Sequence, residues 1–263
     1  MIENKYKKIA VKLAEEAGRV MLKYFDNNTE TEWKEDKTPV TIADKEINKL
    51  VIKTIKENFP DHNIIGEEES ALNDNSEYSW VCDPIDGTIP YMHGIPTSVF
   101  SLALVRDGEV ILGVTYDPFM KKLFFAQKGQ GAFLNGKKIY IKGEQGNKKV
   151  RQVVALEWWY NAPNKLVKLF EKLNTNEYIV AIPISIVYDS MMVASGEFCG
   201  AIFAGKTVHD IAAVKIIVEE AGGIVTDLYG NDQRYDGEIK GAIIASEEYH
   251  SKLLAKVKTV INQ

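Results

Sequence analysis

The N-terminal part of the chain repeats apolar residues at every third or fourth position, which is the spacing of an amphipathic helix. This pattern predicts a helix over residues 3–26 and a second helix that runs from its cap, Thr41, to Phe59-Pro60. The polar stretch between them, from Asp26 to Thr38, predicts a mobile loop. The chain therefore opens with two helices that each have an apolar face for packing.

Apolar runs of strand length follow in the middle of the chain. Trp80–Cys82 predicts a strand that Pro84 breaks. Three further runs are separated by tight-turn sequences and predict antiparallel strands: Val99–Arg106, Val110–Tyr116 and Lys122–Gln127. The first half thus combines two helices with an antiparallel sheet.

Strands and helices alternate in the second half. The predicted strands are Val153–Leu156, Tyr178–Ile182, Gly200–Ala204 and Ile243–Ala245. The predicted helices are Lys165–Leu173, Ser185–Ser195, a helix from near Asp210 to Gly222-Gly223, and Glu247–Ile261. The polar, glycine-bearing stretch Gly143–Lys149 is the best boundary, and it divides one compact unit into residues 1–146 and 147–263. Helices interleaved with sheet in both halves predict a layered α/β architecture.

Composition narrows the classes of function without choosing one. The 263 residues carry a net charge of −5, so the chain has no basic footprint for nucleic acid, and an anionic substrate needs local positive groups. The two cysteines, Cys82 and Cys199, predict reduced thiols in a cytoplasmic protein rather than a disulfide framework. No signal peptide and no apolar run of membrane-spanning length is recognisable. We therefore expect a cytoplasmic protein without membrane or direct nucleic-acid partners.

The segment Trp80–Thr88 carries the most informative chemistry. An apolar run leads into Asp83, and Asp86 follows three residues later, just before a Gly-Thr pair. Two carboxylates this close repel each other unless a cation lies between them, and a tight loop could aim the carbonyl of Ile85 at the same point. Oxygen-only ligands favour Mg²⁺, Mn²⁺ or Ca²⁺ over zinc. Because the N–H groups of the following turn suit an anion, the segment outlines a phosphoryl-transfer site.

Three more acidic residues lie at or near the ends of predicted elements: Glu67, Asp210 and Asp44. Taken singly, Glu67 belongs to a solvated charge run, Asp210 to a helix cap and Asp44 to a helix surface. A dinuclear metal site, however, draws carboxylates from several segments of a chain. Together with Asp83 and Asp86, these residues therefore become candidate ligands or catalytic groups.

Five motifs, in order along the chain, resemble those of the inositol monophosphatase family of Mg²⁺-dependent, lithium-sensitive phosphatases. They are Pro39–Asp44, Gly66-Glu67-Glu68, Asp83–Thr88, Gly129–Gly136, and Asp210–Ala213 followed by Glu219–Gly223. The match spans roughly residues 5–250. A single pair of aspartates would be a weak signal, whereas five ordered motifs are a strong one. The resemblance implies the αβαβα sandwich of this family and of related sugar phosphatases, and a homodimer.

The resemblance also implies the roles of individual residues. The metal ligands would be Glu67, Asp83 and the Ile85 carbonyl for a first ion, Asp83, Asp86 and Asp210 for a second, and Glu68 for a third, looser ion. The cofactor would be two or three Mg²⁺ ions, with Mn²⁺ as a substitute. The catalytic residues would be Glu67, Asp44 and Thr88, whose hydroxyl would be hydrogen-bonded to Asp44 and orient the attacking water. The substrate-binding residues would be Asp86, Gly87, Thr88, Ser185, Phe203 and Asp210. The N-terminal half would thus carry the metal and catalytic motifs, and the C-terminal half the substrate-side wall and the last metal ligand.

The chain departs from the family at several positions. Phe203 stands where inositol phosphatases carry a glutamate for sugar hydroxyls, and it either lines the pocket without accepting those hydrogen bonds or turns into the core. His209 replaces a tryptophan and is interpreted as a packing or capping imidazole rather than a metal ligand. Trp158-Trp159-Tyr160 is interpreted as core or dimer contact rather than substrate wall. No Lys or Arg lies between Thr175 and Ser195, where family members that act on fructose bisphosphate carry basic residues.

Two classes of function remain open. The first is a metal-dependent phosphomonoesterase that uses metal-activated water to hydrolyse a small phosphate ester, such as an inositol phosphate or another sugar or alcohol monophosphate. Within this class, fructose-1,6-bisphosphatase, histidinol-phosphatase and nucleotide 3'-phosphatase activities are alternatives. The second is a regulatory binding protein on the same fold that contacts a protein partner. The complete set Glu67, Asp83, Asp86, Thr88 and Asp210 favours the enzyme.

Overall fold

The computed structural model of the chain describes residues 4–25, 31–35, 37–73, 76–141 and 152–261. The first helix, α1, is Asn4–Tyr24, and the second, α2, is Ile42–Asn58. Between them, β1 (Thr31–Trp33) pairs antiparallel with β2 (Pro39–Thr41). Thr41 caps α2 in a capping box with Asp44, in which each side chain accepts from the backbone N–H of the other residue.

A seven-stranded sheet follows. Its strands, which are neighbours in chain order, are β3 (Asn63–Gly66), β4 (Tyr78–Asp86), β5 (Val99–Arg106), β6 (Glu109–Asp117), β7 (Lys122–Gln127), β8 (Gly131–Leu134) and β9 (Lys137–Ile139). The pair β3 and β4 is parallel, and the other neighbours are antiparallel. A short helix, α3 (Thr88–Met92), connects β4 to β5.

The second half forms a five-stranded sheet with four helices. Its strands are β10 (Gln152–Glu157), β11 (Tyr178–Ala181), β12 (Gly200–Phe203), β13 (Gly223–Thr226) and β14 (Ala242–Ser246), in the spatial order β11-β10-β12-β14-β13. Its helices are α4 (Val167–Leu173), α5 (Ile186–Ala194), α6 (Ala212–Glu220) and α7 (Glu247–Ile261). Strand β10 runs parallel to β11 and β12, whereas β14 runs antiparallel to its two neighbours.

Alternate residues of the central strands face different helix layers. On β5, Leu102 and Leu104 pack with α1 and α2, whereas Ala103 and Val105 pack with α5 and α6. Ala155 of the second sheet joins the cluster around α5 and α6, and the far face of that sheet packs against α4 and α7. The layers are therefore helix, sheet, helix, sheet and helix, which is the αβαβα sandwich that the resemblance implied.

Most predicted elements are confirmed, with bounds that differ by a few residues. The pattern missed the strands β1, β2, β8, β9 and β13, all of which are only three or four residues long. Part of the expected loop before Thr38 is the strand β1, and β4 continues through Pro84 instead of ending there. The predicted boundary, Gly143–Lys149, lies outside the described residues, so the division into two halves stays a prediction. Among the described helices, none combines the length and apolarity needed to cross a bilayer.

Gly113 of β6 should not tolerate a side chain, because α6 lies directly against it. A Cβ at Gly113 would lie 2.9 Å from the Ala213 carbonyl oxygen and 2.7 Å from Ile216 Cγ2. We expect Gly113→Ala to lower the free energy of unfolding by ~1–3 kcal/mol, the usual range for overpacking a core. The control is Gly237→Ala, since no heavy atom beyond its chain neighbours lies within 4 Å of that Cβ position. Urea titration measures both variants, and equal stabilities would contradict this packing of α6 on β6.

Candidate active site

Asp83 and Asp86 face the same side of the first sheet because β4 contains a bulge. Asp83 pairs with Ser101 and Asp86 with Val99, so β4 has one residue more than β5 between these two pairs. In a regular strand, residues three apart point to opposite faces, and the extra residue reverses this. Pro84 is tolerated here because a bulge leaves one residue out of the hydrogen-bond ladder. The bulge thus brings the two carboxylates together.

Glu67 reaches Asp83 through the parallel pairing of β3 and β4. Gly66 pairs with Cys82, and the N–H of Glu67 donates to the Cys82 carbonyl at 3.1 Å. Glu67 and Asp83 are therefore neighbours at the carboxyl ends of two parallel strands, where sites commonly form. A Cβ at Gly66 would lie 2.4 Å from Asn48 Oδ1, so glycine is needed for this turn to approach α2.

Asp210 comes from the second half of the chain, in the turn between β12 and α6. The Thr207 hydroxyl donates to Asp210 Oδ2, and the Val208 carbonyl accepts from the N–H of Ile211 at 3.2 Å. With this turn in place, two groups of metal-ligating atoms form, and the atoms of each group lie within 4.8 Å of one another. One group is Glu67, Asp83 and His209, and the other is Asp83, Asp86 and Asp210.

The N-terminus of α5 holds Asp86. The Ser185 hydroxyl and the Val187 N–H, the latter at 2.8 Å, both donate to Asp86 Oδ2. Gly87 follows with a φ of 85°, and a Cβ there would lie 3.0 Å from Ser185 Cβ. The structure thus brings together Asp86, Gly87, Ser185 and the first residue of α3, Thr88, whose role in substrate binding stays a prediction.

Burial and mutual repulsion raise the pKa values of these carboxyl groups. Asp83 is only 2% exposed, and desolvation, then the charges of Glu67 and Asp86, raise its pKa well above the usual range. Burial and then Asp210 raise the pKa of Asp86, although the hydrogen bonds from α5 oppose this. Burial also raises the pKa of Asp210. The cluster therefore holds negative charge that its protein neighbours only partly compensate.

Lys34, from the segment expected to be a mobile loop, lies at the edge of this cluster. Its Nζ lies 3.0 Å from Glu67 Oε1 and 2.6 Å from Glu68 Oε1. Burial lowers the pKa of Lys34, but the charges of Glu67 and Glu68 outweigh it and raise the pKa above its usual value. The β1–β2 hairpin thus positions an ammonium group against two predicted metal ligands.

The donor set fits divalent cations. One Asp83 oxygen accepts from the Ile85 N–H at 3.0 Å, and within the described residues no donor bonds to the other. A divalent ion would reverse the repulsion that raises the pKa values of the cluster. Carboxylate oxygens are the donors that Mg²⁺, Mn²⁺ and Ca²⁺ accept, so the residues match the metal site expected from the sequence.

Comparison with known proteins identifies this arrangement. The sequence model of the inositol monophosphatase family matches residues 3–262. The chain belongs to the inositol monophosphatase family. It is therefore a member of a family of phosphatases, as its motifs implied.

Relatives in this family match the chain over nearly its full length. The histidinol-phosphatase of Chlorobaculum parvum is 34% identical over 250 residues, which cover 95% of each chain. The fructose-1,6-bisphosphatase/inositol-1-monophosphatase of Thermotoga maritima is 30% identical and covers 97% of this chain and 96% of its own. The solved structure of a Thermotoga maritima IMPase superposes with a TM-score of 0.86 at 29% identity, over 98% of both chains.

One hydrogen bond expected from the family is absent between the described residues concerned. Thr88 donates to the Ile85 carbonyl at 3.2 Å instead of bonding to Asp44. Asp44 Oδ2 accepts from the N–H and the hydroxyl of Thr41, at 2.8 and 2.5 Å. The capping box thus engages one Asp44 oxygen, and the other is buried without a partner among the described residues. Burial raises the pKa of Asp44 to about 7. The catalytic roles of Thr88 and Asp44 stay predictions.

Phe203 turns into the core, which is one of the two alternatives that the family comparison left open. It is 4% exposed, its ring centroid lies 6.0 Å from that of Trp159, and a Cβ on Gly205 would lie 2.2 Å from the ring. The ring therefore has little surface for a substrate contact. Trp158 packs against the core, as expected, whereas Trp159 and Tyr160 are exposed.

Sequence reasoning missed a second buried acidic pair, Glu157 and Asp189, which lies near Asp86. Glu157 Oε1 accepts from the N–H of Ile184 at 2.9 Å, and Ile184 has a φ of 64°, which β-branched residues rarely adopt. No N–H or O–H group of the described residues donates to Asp189, whose carboxyl bonds to Glu157 when one of the two is protonated. The pair thus supports the strained turn that presents Ser185. One signal in the sequence could have indicated this pair: Asp189 is a lone charged residue in the otherwise apolar helix α5.

The pH dependence of stability should report the Asp189 carboxyl. Burial, and then the charge of Glu157, raise its pKa well above the unfolded-chain value of about 4. Above about pH 4 the folded protein therefore holds a proton that the unfolded chain releases, so this group's contribution to the unfolding free energy decreases as pH rises.

In the wild type, the Asp189 carboxyl should make the free energy of unfolding decrease between about pH 5 and pH 8. We expect Asp189→Asn to make this decrease smaller, because asparagine has no proton to release. Urea unfolding of the metal-free protein across this range is the measurement. Asp61→Asn, at an exposed position, is the control and should keep the wild-type slope. An Asp189→Asn slope equal to that of the wild type would contradict a protonated Asp189.

Proposed function

We propose that the chain is a Mg²⁺-dependent phosphomonoesterase that hydrolyses a small phosphorylated metabolite, such as an inositol phosphate or another sugar or alcohol monophosphate. One observation carries the proposal: Asp83 belongs to both groups of metal-ligating atoms. Two cation positions that share a carboxylate suit the hydrolysis of a phosphate ester, in which both the attacking and the leaving oxygen need stabilisation. Membership of a phosphatase family supports the same conclusion.

Five carboxylates and one carbonyl are proposed to hold the cations. They are Glu67, Asp83 and the Ile85 carbonyl for one ion, Asp83, Asp86 and Asp210 for a second, and Glu68 for a third, looser ion. When bound, these ions neutralise the phosphate and the leaving oxygen and lower the pKa of the attacking water. The Ile85 carbonyl accepts from Thr88 and still has a second lone pair for a ligand.

The remaining roles belong to the chain itself. Thr88 donates its hydroxyl proton to the Ile85 carbonyl, so the lone pairs of the hydroxyl oxygen stay free to accept a hydrogen bond from the attacking water. Ser185 fixes Asp86, and the left-handed conformation of Gly87 lets the chain turn sharply into α3 beside it. Phosphoryl transfer needs positioning and charge stabilisation rather than a covalent nucleophile, so these groups suffice.

Asp83→Asn tests the shared ligand. We expect a decrease in kcat/KM of about 10²–10³, equivalent to ~3–4 kcal/mol of transition-state stabilisation, because one substitution weakens two cation positions. In EDTA the variant should be at least as heat-stable as the wild type, since a repulsive charge is gone. Phosphate release with Mg²⁺, and thermal unfolding without it, give the two readouts. Asp61→Asn is the exposed control, and an Asp83→Asn variant with most of its activity would place the metal site elsewhere.

Bisphosphorylated sugars should be poor substrates, because two lysine side chains near the site already form ion pairs with glutamates. Lys206 Nζ bonds to Glu238 at 2.6 Å, and Lys34 bonds to two glutamates. A second phosphate would thus lose water without gaining a countercharge. We expect kcat/KM for fructose 1,6-bisphosphate to be at least ~10-fold lower than for a sugar monophosphate, which is ~1.4 kcal/mol. Lys206→Ala is the control and should leave this ratio unchanged, whereas a preference for the bisphosphate would refute our description of the pocket.

A regulatory binding protein on this fold is the alternative, and a phosphate-release assay with and without Mg²⁺ separates the two. Full activity in EDTA would exclude the metal-dependent mechanism, and no activity on any ester would favour the binding protein. Sensitivity to lithium, a homodimer and a cytoplasmic location are proposed from the family resemblance. Inhibition titration and size-exclusion chromatography test the first two.

A further inference from the structure

One turn of the chain supplies a donor to each of the two groups of metal-ligating atoms. Asp210 joins the group of Asp83 and Asp86, whereas a ring nitrogen of His209 joins the group of Glu67 and Asp83. The two donors are consecutive residues between β12 and α6. The first group contains oxygen donors alone, and the second combines nitrogen with oxygen.

The turn is fixed in a way that keeps His209 in place. The carbonyl of Val208 accepts from the N–H groups of Ile211 at 3.2 Å and Ala212 at 2.9 Å, and all three of these residues are buried. The Thr207 hydroxyl donates to Asp210 on the other side of His209. These bonds fix the backbone on both sides of His209.

Within the described residues, two polar groups at this position have unused hydrogen-bonding capacity. The ring of His209 forms no hydrogen bond with any residue that the structure describes, although a ring nitrogen lies within 4.8 Å of an oxygen of Glu67 and of Asp83. Asp83 is only 2% exposed, and the described residues donate a hydrogen bond to only one of its two carboxylate oxygens. His209 also lines a cavity of about 600 Å³ together with Ser70 and Lys206. A cation would satisfy both groups at once.

We propose that His209 is a metal ligand: with Glu67 and Asp83 it forms a nitrogen–oxygen position that binds a divalent transition ion in preference to Mg²⁺. This inference rests on the proposed function, because it assigns a different ion to one of the two positions of that centre. The neighbouring position of Asp83, Asp86 and Asp210 keeps oxygen donors alone and stays suited to Mg²⁺.

The donor chemistry gives the reason for this preference. Imidazole nitrogen suits Fe²⁺, Ni²⁺ and Zn²⁺, and Mn²⁺ accepts nitrogen as well as oxygen donors, whereas Mg²⁺ is held by oxygen donors and releases its water reluctantly. A neutral imidazole also adds a ligand without adding negative charge to a cluster that already repels itself. Lys34 is the competing cation at Glu67, but a divalent ion carries twice its charge and contacts all three donors.

Mn²⁺ binding to the metal-free, full-length protein tests the inference without any turnover. Free Mn²⁺ is measured by its electron paramagnetic resonance signal, and Mg²⁺ affinity by competition. We expect His209→Ala to weaken Mn²⁺ binding at one of two positions by at least ~10-fold and Mg²⁺ binding by less than ~3-fold. The control is His93→Ala, an exposed histidine, which should change neither. Equal losses for both ions, or no loss, would overturn the role of His209.

Pulsed electron paramagnetic resonance on the Mn²⁺-loaded wild type keeps the inference testable even where His209→Ala fails to fold. An imidazole ligand should give nitrogen coupling to Mn²⁺, and His93→Ala should retain it. Two bound Mn²⁺ ions without nitrogen coupling would overturn the role of His209 and leave the proposed function intact. A wild type that binds neither Mn²⁺ nor Mg²⁺ would overturn both.

Discussion

Repulsion among buried carboxylates is the constraint on which the site depends. Asp83, Asp86 and Asp44 are 2%, 6% and 0% exposed, and their pKa values are all raised. Left to local preference, such groups would move apart or take up protons. The surrounding fold holds them in place through the strand pairing of β4 and through hydrogen bonds that Val187 and Thr41 donate to the carboxylates of Asp86 and Asp44.

These contacts come from all the layers around the site. The bulge in β4 puts Asp83 and Asp86 on one face, the parallel β3 brings Glu67 beside them, and the capping box of α2 holds Asp44. The middle helix layer is decisive, because α5 and α6 lie between the two sheets. The start of α5 binds Asp86, and the turn before α6 carries Asp210, so residues far apart in the sequence meet at the end of one strand.

The fold contains two neighbouring clusters of buried carboxyl groups, and their charge is compensated in different ways. Glu157 and Asp189 form a pair that a single shared proton satisfies, and Glu157 also accepts from the backbone of Ile184. The group around Asp83 includes an oxygen to which no donor bonds within the described residues, and its members converge on shared points. The same functional group therefore stabilises a turn in one place and provides ligands in the other, according to whether a proton or a cation compensates its charge.

The amino-acid sequence alone was enough to assign the protein to its family. Apolar periodicity predicted the main helices and strands, and five ordered motifs indicated the family, because these signals are local and each spans only a few residues. The same motifs named Glu67, Asp83, Asp86 and Asp210 as one site, and the structure brings these four together. Short strands such as β1 escaped prediction, since three residues are too few to show a period, although its partner β2 lies only a few residues further along the chain.

The use of individual side chains, in contrast, follows from the folded structure. The core direction of Phe203 and the place of His209 beside Glu67 depend on neighbours that are remote in the sequence. A residue type sets which bonds a side chain is able to form. Which of those bonds it does form depends on the groups that folding brings within reach. A local sequence pattern does not contain that information, because these groups come from distant parts of the chain.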